Sequence, residues 1–275
     1  MAKISDVFKK KNKIIEKTAR LDWGKLTELM NYIWQLERKQ DKIQNSTFVE
    51  DVVRPAYSRA IELFGHNKAP VVVKDEDFKK LDGPILYRGV KKIEHHAMYL
   101  CDEDYYKGKG RIEGIYFSDE FGTALQYANG DANAVLKVKL MPDAKIIYYR
   151  NLEDAYFGRF SWFRRHKNNI DDETQAKIHE LKLFLSTLDK KDAKTISCVI
   201  LNDCILGVIL GYDAMTNDGW GEHYVLSKTS IANRGKLVVS ESEFKRICSQ
   251  SPEHKNRVET MFKTGNEHTR ELREL

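Results

Sequence analysis

The apolar residues of this chain change their spacing near residues 67–70, and this change limits the folds that the chain can adopt. Over residues 22–37 they recur at intervals of three and four, which is typical of an amphipathic helix with one buried face. The stripe consists of Trp23, Leu26, Leu29, Met30, Ile33 and Trp34. From about Ala69 the chain instead contains short runs that are typical of β-strands. The pattern predicts a helical N-terminal region over residues 1–66, followed by a domain that contains strands.

A second helix is predicted within the N-terminal region. Thr47 and Glu50 have the spacing of a capping box, and apolar residues continue from there to Leu63. Gly65 is a residue type at which helices commonly end.

The remainder of the chain predicts an α+β fold. Strands are expected over residues 84–87, 114–118 and 134–140, and later over 223–226 and 236–239. In the run 134–140, apolar residues alternate with Lys137 and Lys139, which predicts a strand with one buried face. Helices are expected over residues 173–188 and after a capping box formed by Ser240 and Glu243, and the apolar run 198–210 fits either a buried helix or a buried strand. We therefore expect three regions, 1–66, 67–240 and a C-terminal helix and tail over 241–275.

Composition excludes several classes of protein. The 275 residues contain no uninterrupted apolar run of membrane-spanning length and no apolar segment after the basic N-terminus, so we expect no membrane association and a cytoplasmic location. The four cysteines have neither the spacing of a zinc site nor that of a disulfide framework. His95 and His96 are adjacent, so a regular element cannot direct both at one ion. We expect no metal.

The net charge of +5 comes entirely from the N-terminus. Residues 1–44 contain 11 Lys and Arg against 6 Asp and Glu, which leaves 35 of each sign in the other 231 residues. Such a segment either binds an acidic partner or forms the solvated face of helices, and we favour the solvated face.

Three short blocks carry polar groups in positions where a buried strand would have none. In the first, Arg88 ends the apolar run of Leu86 and Tyr87 and precedes Gly89, which provides a fixed cation beside exposed backbone groups. Taken alone, Arg88 could equally end a strand through a surface ion pair.

The second block is the segment 114–118 with the helix that follows. Tyr116 and Tyr127 are eleven residues apart and could hold a flat ring between them. The alternative is that Tyr116, Phe117 and Tyr127 are core aromatics, and spacing alone favours that alternative.

In the third block, Glu222 enters an apolar run from a turn that contains Gly219 and Gly221. A carboxylate in that position can bind a ribose hydroxyl and stabilise positive charge at the anomeric carbon, or it can simply lie at the edge of a strand.

Together the three blocks resemble the ADP-ribosyltransferase superfamily. The sequence Tyr87-Arg88-Gly89 is similar to the first motif of the toxin-type (R-S-E) transferases. The spacing of Tyr116 and Tyr127 is more similar to the pattern of poly(ADP-ribose) polymerases, in which the second tyrosine stacks on nicotinamide. Residues 135–147, 211–215 and 224–227 are similar to ADP-ribosyltransferase domains of phage-encoded proteins. The resemblance covers residues 83–240 and implies that the region 67–240 is a catalytic domain with two small mixed sheets around an NAD⁺ cleft.

The resemblance also implies a role for each residue. Arg88 would orient the phosphates or ribose of NAD⁺, and the Gly89 backbone would bind the nicotinamide carboxamide. Tyr116 and Tyr127 would flank the ring, beside Phe117 and Ser118 of the same motif. Glu222 would be the catalytic glutamate, and NAD⁺ would be a substrate rather than a resident cofactor.

The resemblance leaves the acceptor open, because Trp220 replaces the Glu or Gln that toxin-type enzymes carry two residues before the catalytic glutamate. We expect a macromolecular acceptor, more readily a protein than a nucleic acid, for an effector that acts in bacterial cytoplasm or travels in a phage particle. The alternatives are an NAD⁺ glycohydrolase and a phage structural module without activity. The basic and aromatic residues of the segment 157–167 could bind nucleic acid or anchor a surface loop.

Overall fold

The computed structural model describes residues 21–40, 48–65, 69–101, 115–148, 151–152, 156, 170–201, 203–216, 229–231, 234–251 and 253. Its helices are α1 (Trp23–Gln40), α2 (Arg54–Phe64), α3 (Asp75–Lys80), α4 (Glu94–Cys101), α5 (Phe121–Tyr127), α6 (Asp172–Leu185), α7 (Lys190–Ile200), α8 (Asp203–Leu210) and α9 (Glu241–Ser249). Its strands are β1 (Val71–Val73), β2 (Ile85–Gly89), β3 (Ile115–Phe117), β4 (Val135–Leu140), β5 (Ile146–Tyr148), β6 (Ala214–Thr216), β7 (Thr229–Ile231) and β8 (Leu237–Ser240). A π-helical turn (Val49–Val53) precedes α2, and short 3₁₀ turns precede β4 and β8. The combination of helices with small sheets confirms the α+β class.

The chain divides into two compact units. One contains residues 1–65, 111–113 and 147–212, and the other contains residues 66–110, 114–146 and 213–275. The first boundary lies close to the predicted end of the N-terminal region. The ranges of the units are discontinuous, however, because α7 packs on α1 and α8 packs on α2, which groups the helices of residues 172–210 with the N-terminal helices.

The first unit is helical. The predicted stripe of α1 is buried at Leu26, Leu29, Met30 and Ile33, and the ring of Trp23 lies 5.5 Å from that of Phe184. The apolar run 198–210, for which the sequence allowed either structure, forms the end of α7 and the whole of α8. The helix predicted over 173–188 ends at Leu185. The next helix, α7, begins after Asp189, whose carboxylate accepts the Lys191 and Asp192 N–H groups.

The second unit contains two sheets. The first has the strand order β1-β8-β4-β2, in which β1 is parallel to β8 and the other pairs are antiparallel. In the second sheet, β3 and β6 both pair antiparallel with β7. An isolated antiparallel bridge between Tyr87 and Ser118 joins the edge strand β2 of the first sheet to the end of β3 in the second.

Two local predictions were wrong in detail. Lys139 was predicted to be exposed but is buried, because its ammonium group lies 5.2 Å from the centre of the Phe78 ring and donates to the Leu81 carbonyl at 2.6 Å. Ser240 does cap α9 by accepting the Glu243 N–H. The Glu243 carboxylate does not complete the capping box, since it accepts from the Lys137 N–H and from Arg246 instead.

Other predictions lie outside the described residues, namely Thr47, the strand over 223–226 and the basic segment 157–167. Among the described residues, no helix has the length and apolar character needed to cross a membrane.

Candidate functional site

Arg88 is held at the end of β2 by two residues of α4. Its Nη1 lies 3.3 Å from His96 Nδ1, and the centre of its guanidinium lies 4.9 Å from the centre of the Tyr99 ring. His96 Nε2 lies 2.9 Å from the Ala134 carbonyl oxygen, which can only accept, so Nε2 carries the proton and Nδ1 accepts from Arg88. Both of these contacts are with uncharged groups.

His96 is suited to this position because it stays neutral. Burial, followed by the charge of Arg88, holds the pKa of the His96 imidazole well below its usual range. An imidazolium at this position would lose its acceptor nitrogen and repel Arg88. His96 therefore orients Arg88 by a hydrogen bond in which only one partner is charged.

Sequence reasoning missed the roles of His96 and Tyr99. From the sequence alone, His96 is a candidate only for a metal site shared with its neighbour His95. The signal was the spacing of His96 and Tyr99, which are three residues apart and so share one face of the helix after β2.

Gly89 lies under α5. A Cβ atom at this position would be 1.7 Å from the Ala124 carbonyl oxygen and 3.0 Å from the Ala128 amide nitrogen. Only glycine permits α5 to approach β2 this closely. The glycine that the resemblance assigns to carboxamide binding thus has a packing role as well.

The backbone groups of Gly89 point away from β4. Tyr87 exchanges two hydrogen bonds with Ser118, whereas Val90 donates to Ala134 next to β4. Because carbonyl and amide directions alternate along a strand, the N–H and C=O of Gly89 lie on the edge of β2 that carries the bridge to Ser118. Gly89 is the next residue on that edge beyond the bridge.

Tyr116 and Phe117 project from opposite faces of β3. Phe117 is 1% exposed, and its ring centre lies 6.0 Å from that of Tyr99, so this side chain belongs to the core around Arg88. Tyr116 is half-buried and points to the other face. Because side chains alternate along each strand, Gly89 lies on the face of β2 opposite Arg88, and Tyr116 lies on the face of β3 opposite Phe117.

The site residues therefore divide between two faces. Arg88 and Phe117 share the face that carries His96 and Tyr99. Gly89 and Tyr116 lie on the face covered by α5, whose last residue is the half-buried Tyr127.

Ser118 links β3 to α5. Its hydroxyl accepts the Glu120 N–H at 3.0 Å, one residue before α5 begins, and the residue is 4% exposed. Its backbone pairs with Tyr87, whose ring packs nearly perpendicular to the Phe121 ring with the two ring centres 5.5 Å apart. These contacts explain Ser118 as a residue that fixes the turn between strand and helix.

Glu222 and Trp220 lie outside the described residues. The described residues on either side of this segment, Thr216 and Thr229, pair with each other, and Thr229 also pairs with Phe117. The chain thus leaves the second sheet at the end of β6 and rejoins it at the start of β7, whose first residue pairs with the last residue of β3.

No group of three residues that could hold a metal ion occurs in the described part of the chain. Comparison with protein family models, curated proteins and solved structures found no match to this chain.

Proposed function

We propose that this chain cleaves NAD⁺ at the nicotinamide–ribose bond and transfers ADP-ribose to a macromolecular acceptor. The observation that supports this most is the fork beyond the Tyr87–Ser118 bridge, where β2 and β3 belong to different sheets. The backbone edge of Gly89 lies on one side of the fork and Tyr116 on the other.

The fork suits a nicotinamide group. A carboxamide presents one donor and one acceptor, and the N–H and C=O of a single strand residue on one edge match both. Tyr116 supplies an aromatic face for the pyridinium ring, and cations bind favourably to such faces. Tyr127 on α5 is the proposed second aromatic wall.

Arg88 contributes the positive charge. Its contacts with His96 and Tyr99 orient the guanidinium, and a positioned cation at a strand end attracts the two phosphates of a dinucleotide. Since its side chain leaves β2 on the face opposite Tyr116, we assign Arg88 to the phosphates or the adjacent ribose rather than to the nicotinamide.

Glu222 is the proposed catalytic residue. When the bond between ribose C1′ and the nicotinamide nitrogen breaks, its electron pair leaves with neutral nicotinamide, and positive charge develops on the ribose. A nearby carboxylate stabilises that charge without a proton transfer. The acceptor nucleophile then bonds to C1′ and releases its proton to Glu222 or to water.

We propose a protein acceptor and an effector role in bacterial cytoplasm, since these follow from the resemblance to toxin-type and phage-encoded transferases. If water replaces the acceptor, the same site is a glycohydrolase. Trp220 occupies the position that selects the acceptor in toxin-type enzymes, so the assay must distinguish hydrolysis from transfer.

The test is incubation of the purified chain with NAD⁺ labelled in the adenylate moiety, with and without bacterial lysate. Label on macromolecules supports transfer. Free ADP-ribose alone assigns the chain as a glycohydrolase, and unchanged NAD⁺ under both conditions contradicts the proposed function.

Glu222→Gln is the matched variant for this assay, because it keeps the size of the side chain and removes the charge. Turnover should fall on the order of 10²–10³-fold, with NAD⁺ binding nearly retained. Glu173→Gln is the control, since Glu173 is exposed and pairs with Lys177 one helical turn away. Equal activity of the two variants would show that Glu222 is not the catalytic carboxylate.

A further inference from the structure

We propose that Cys101 and Cys248 form a redox-active pair, which a low-molecular-weight disulfide oxidises to an intramolecular disulfide. Their Sγ atoms lie 3.3 Å apart although the residues are separated by 147 positions in the chain. This pair cannot be recognised from the sequence, because cysteines so far apart show no recognisable spacing.

The surroundings of the pair favour a disulfide. Cys101 is the last residue of α4, Cys248 lies in the last turn of α9, and these two helices pack against each other in the second unit. Both thiols are buried. Bond formation requires the Sγ atoms to approach to about 2.05 Å, a movement on the order of 1 Å, which rotation about the side-chain bonds and small helix shifts can supply.

The reaction is a thiol–disulfide exchange. One cysteine, as the thiolate, attacks a sulfur of the small disulfide, forms a mixed disulfide and releases one small thiol. The second cysteine attacks the protein sulfur of the mixed disulfide and releases the other small thiol. The cysteines lose two electrons and two protons in total, and the small disulfide gains both.

The exchange should be slow in the folded protein. The hydrogen bond with Cys101, together with burial, raises the pKa of the Cys248 thiol, so little thiolate is present at neutral pH. The oxidant therefore reacts when the end of α4 opens locally. By contrast, Cys198 is exposed and accessible at all times.

The disulfide would tie α4 to α9. Since α4 carries His96 and Tyr99, the crosslink would also fix the helix that holds Arg88. It would close a loop that spans more than half the chain, and closing long loops restricts the unfolded state most. The proposal is independent of NAD⁺ chemistry and stands if the proposed function fails.

The experiment equilibrates the full chain in buffers with increasing ratios of oxidised to reduced glutathione, followed by acid quenching and alkylation after unfolding. We expect the alkylated oxidised chain to carry two alkyl groups fewer than the alkylated reduced chain, and to yield a crosslinked peptide that joins Cys101 to Cys248. The melting temperature of the oxidised chain should rise by several degrees, and a reducing agent should reverse the rise.

Variants make the assignment specific. Cys101→Ala and Cys248→Ala should each abolish the crosslink and the rise in melting temperature, whereas Cys198→Ala should retain both. Peptide mapping of the unsubstituted chain needs no variant and gives the same answer if an alanine variant does not fold. Full alkylation of Cys101 and Cys248 after oxidation, a glutathione adduct on either one as the end product, or a crosslink to another cysteine would overturn the proposal.

Discussion

Gly89→Ala should destabilise the protein strongly, for a reason that is independent of any ligand. The added Cβ would lie 1.7 Å from the Ala124 carbonyl oxygen, whereas ordinary contacts begin at 3.4 Å. The carbonyl would have to move by about 1.7 Å to restore an ordinary contact. Because the obstacle is helix backbone, rotation of a side chain cannot relieve the clash.

The required movement disturbs packing that β2 and α5 share. Ala124 and Ala128 are buried with Ala134 and Val135, and Tyr87 packs against this cluster. Overpacking typically costs about 1–3 kcal/mol and more where the backbone must shift. We expect a loss of roughly 3 kcal/mol or more in the free energy of unfolding.

Gly122→Ala is the matched control. Gly122 lies in α5, the helix that covers Gly89, and a Cβ atom at Gly122 would have nothing within 4 Å. Alanine is favoured over glycine in helices by about 0.5–1 kcal/mol, so this variant should be slightly more stable than the unsubstituted chain. Urea denaturation followed by circular dichroism compares the two variants. A denaturation midpoint of Gly89→Ala equal to that of the unsubstituted chain would refute the close approach of α5 to β2.

Two further predictions concern the surroundings of Arg88. Arg88→Ala should weaken NAD⁺ binding measured by calorimetry on a folded variant, because the fixed cation is lost, and unchanged affinity contradicts the proposed role. His96 is kept neutral when folded but takes up a proton near pH 6.5 when unfolded, so the free energy of unfolding should fall as the pH drops below about 6.5, by at most about 1.4 kcal/mol per pH unit. His96→Gln should remove this pH dependence, whereas His95→Gln, at the exposed neighbouring residue, should retain it. Urea denaturation between about pH 5 and pH 8 measures the free energy of unfolding of both variants. An equal change with pH in the two variants would contradict the assignment.

Periodicity predicted the elements whose burial follows from local sequence. The stripe of α1 repeats at helix spacing, and the apolar residues of β4 repeat at strand spacing, so the faces that carry them can be read from the sequence. The exception, Lys139, depends on Phe78 and the Leu81 carbonyl, which come from a segment about sixty residues earlier in the chain. Alternation within one strand contains no information about such a partner.

The candidate site shows the same limit. Sequence blocks identified Arg88 and Tyr116 by their residue type and order, but they could not tell that Arg88 shares a face with Phe117 while Tyr116 shares one with Gly89. That division depends on the bridge between Tyr87 and Ser118. The role of His96 also depends on tertiary contacts, with the Ala134 carbonyl and with Arg88. The assignment of Glu222 stays a prediction.

The N-terminal 44 residues combine two features that can be separated by experiment. Residues 1–20 contain seven Lys and Arg and two Asp and Glu, so they carry the whole net charge of +5, whereas residues 21–44 contain four of each sign. The helix α1 begins at Trp23, beyond the charged segment. Its buried side chains Leu26, Leu29, Met30 and Ile33 form part of the core of the first unit.

Deleting residues 1–44 should therefore unfold the first unit. Burial of each of the four side chains stabilises by about 1.5–3 kcal/mol, and the sum of roughly 6–12 kcal/mol is comparable to the whole stability of a typical domain. Deleting only residues 1–20 removes the charge of +5 and keeps all four of these side chains, so it tests the charge apart from the buried stripe. If the charged segment docks on an acidic partner, this shorter deletion lowers ADP-ribose transfer and its sensitivity to salt while NAD⁺ hydrolysis persists. If ADP-ribose transfer and its salt dependence survive the shorter deletion, the charged segment does not dock on an acidic partner. An unchanged melting temperature after the longer deletion would contradict the burial of the α1 stripe.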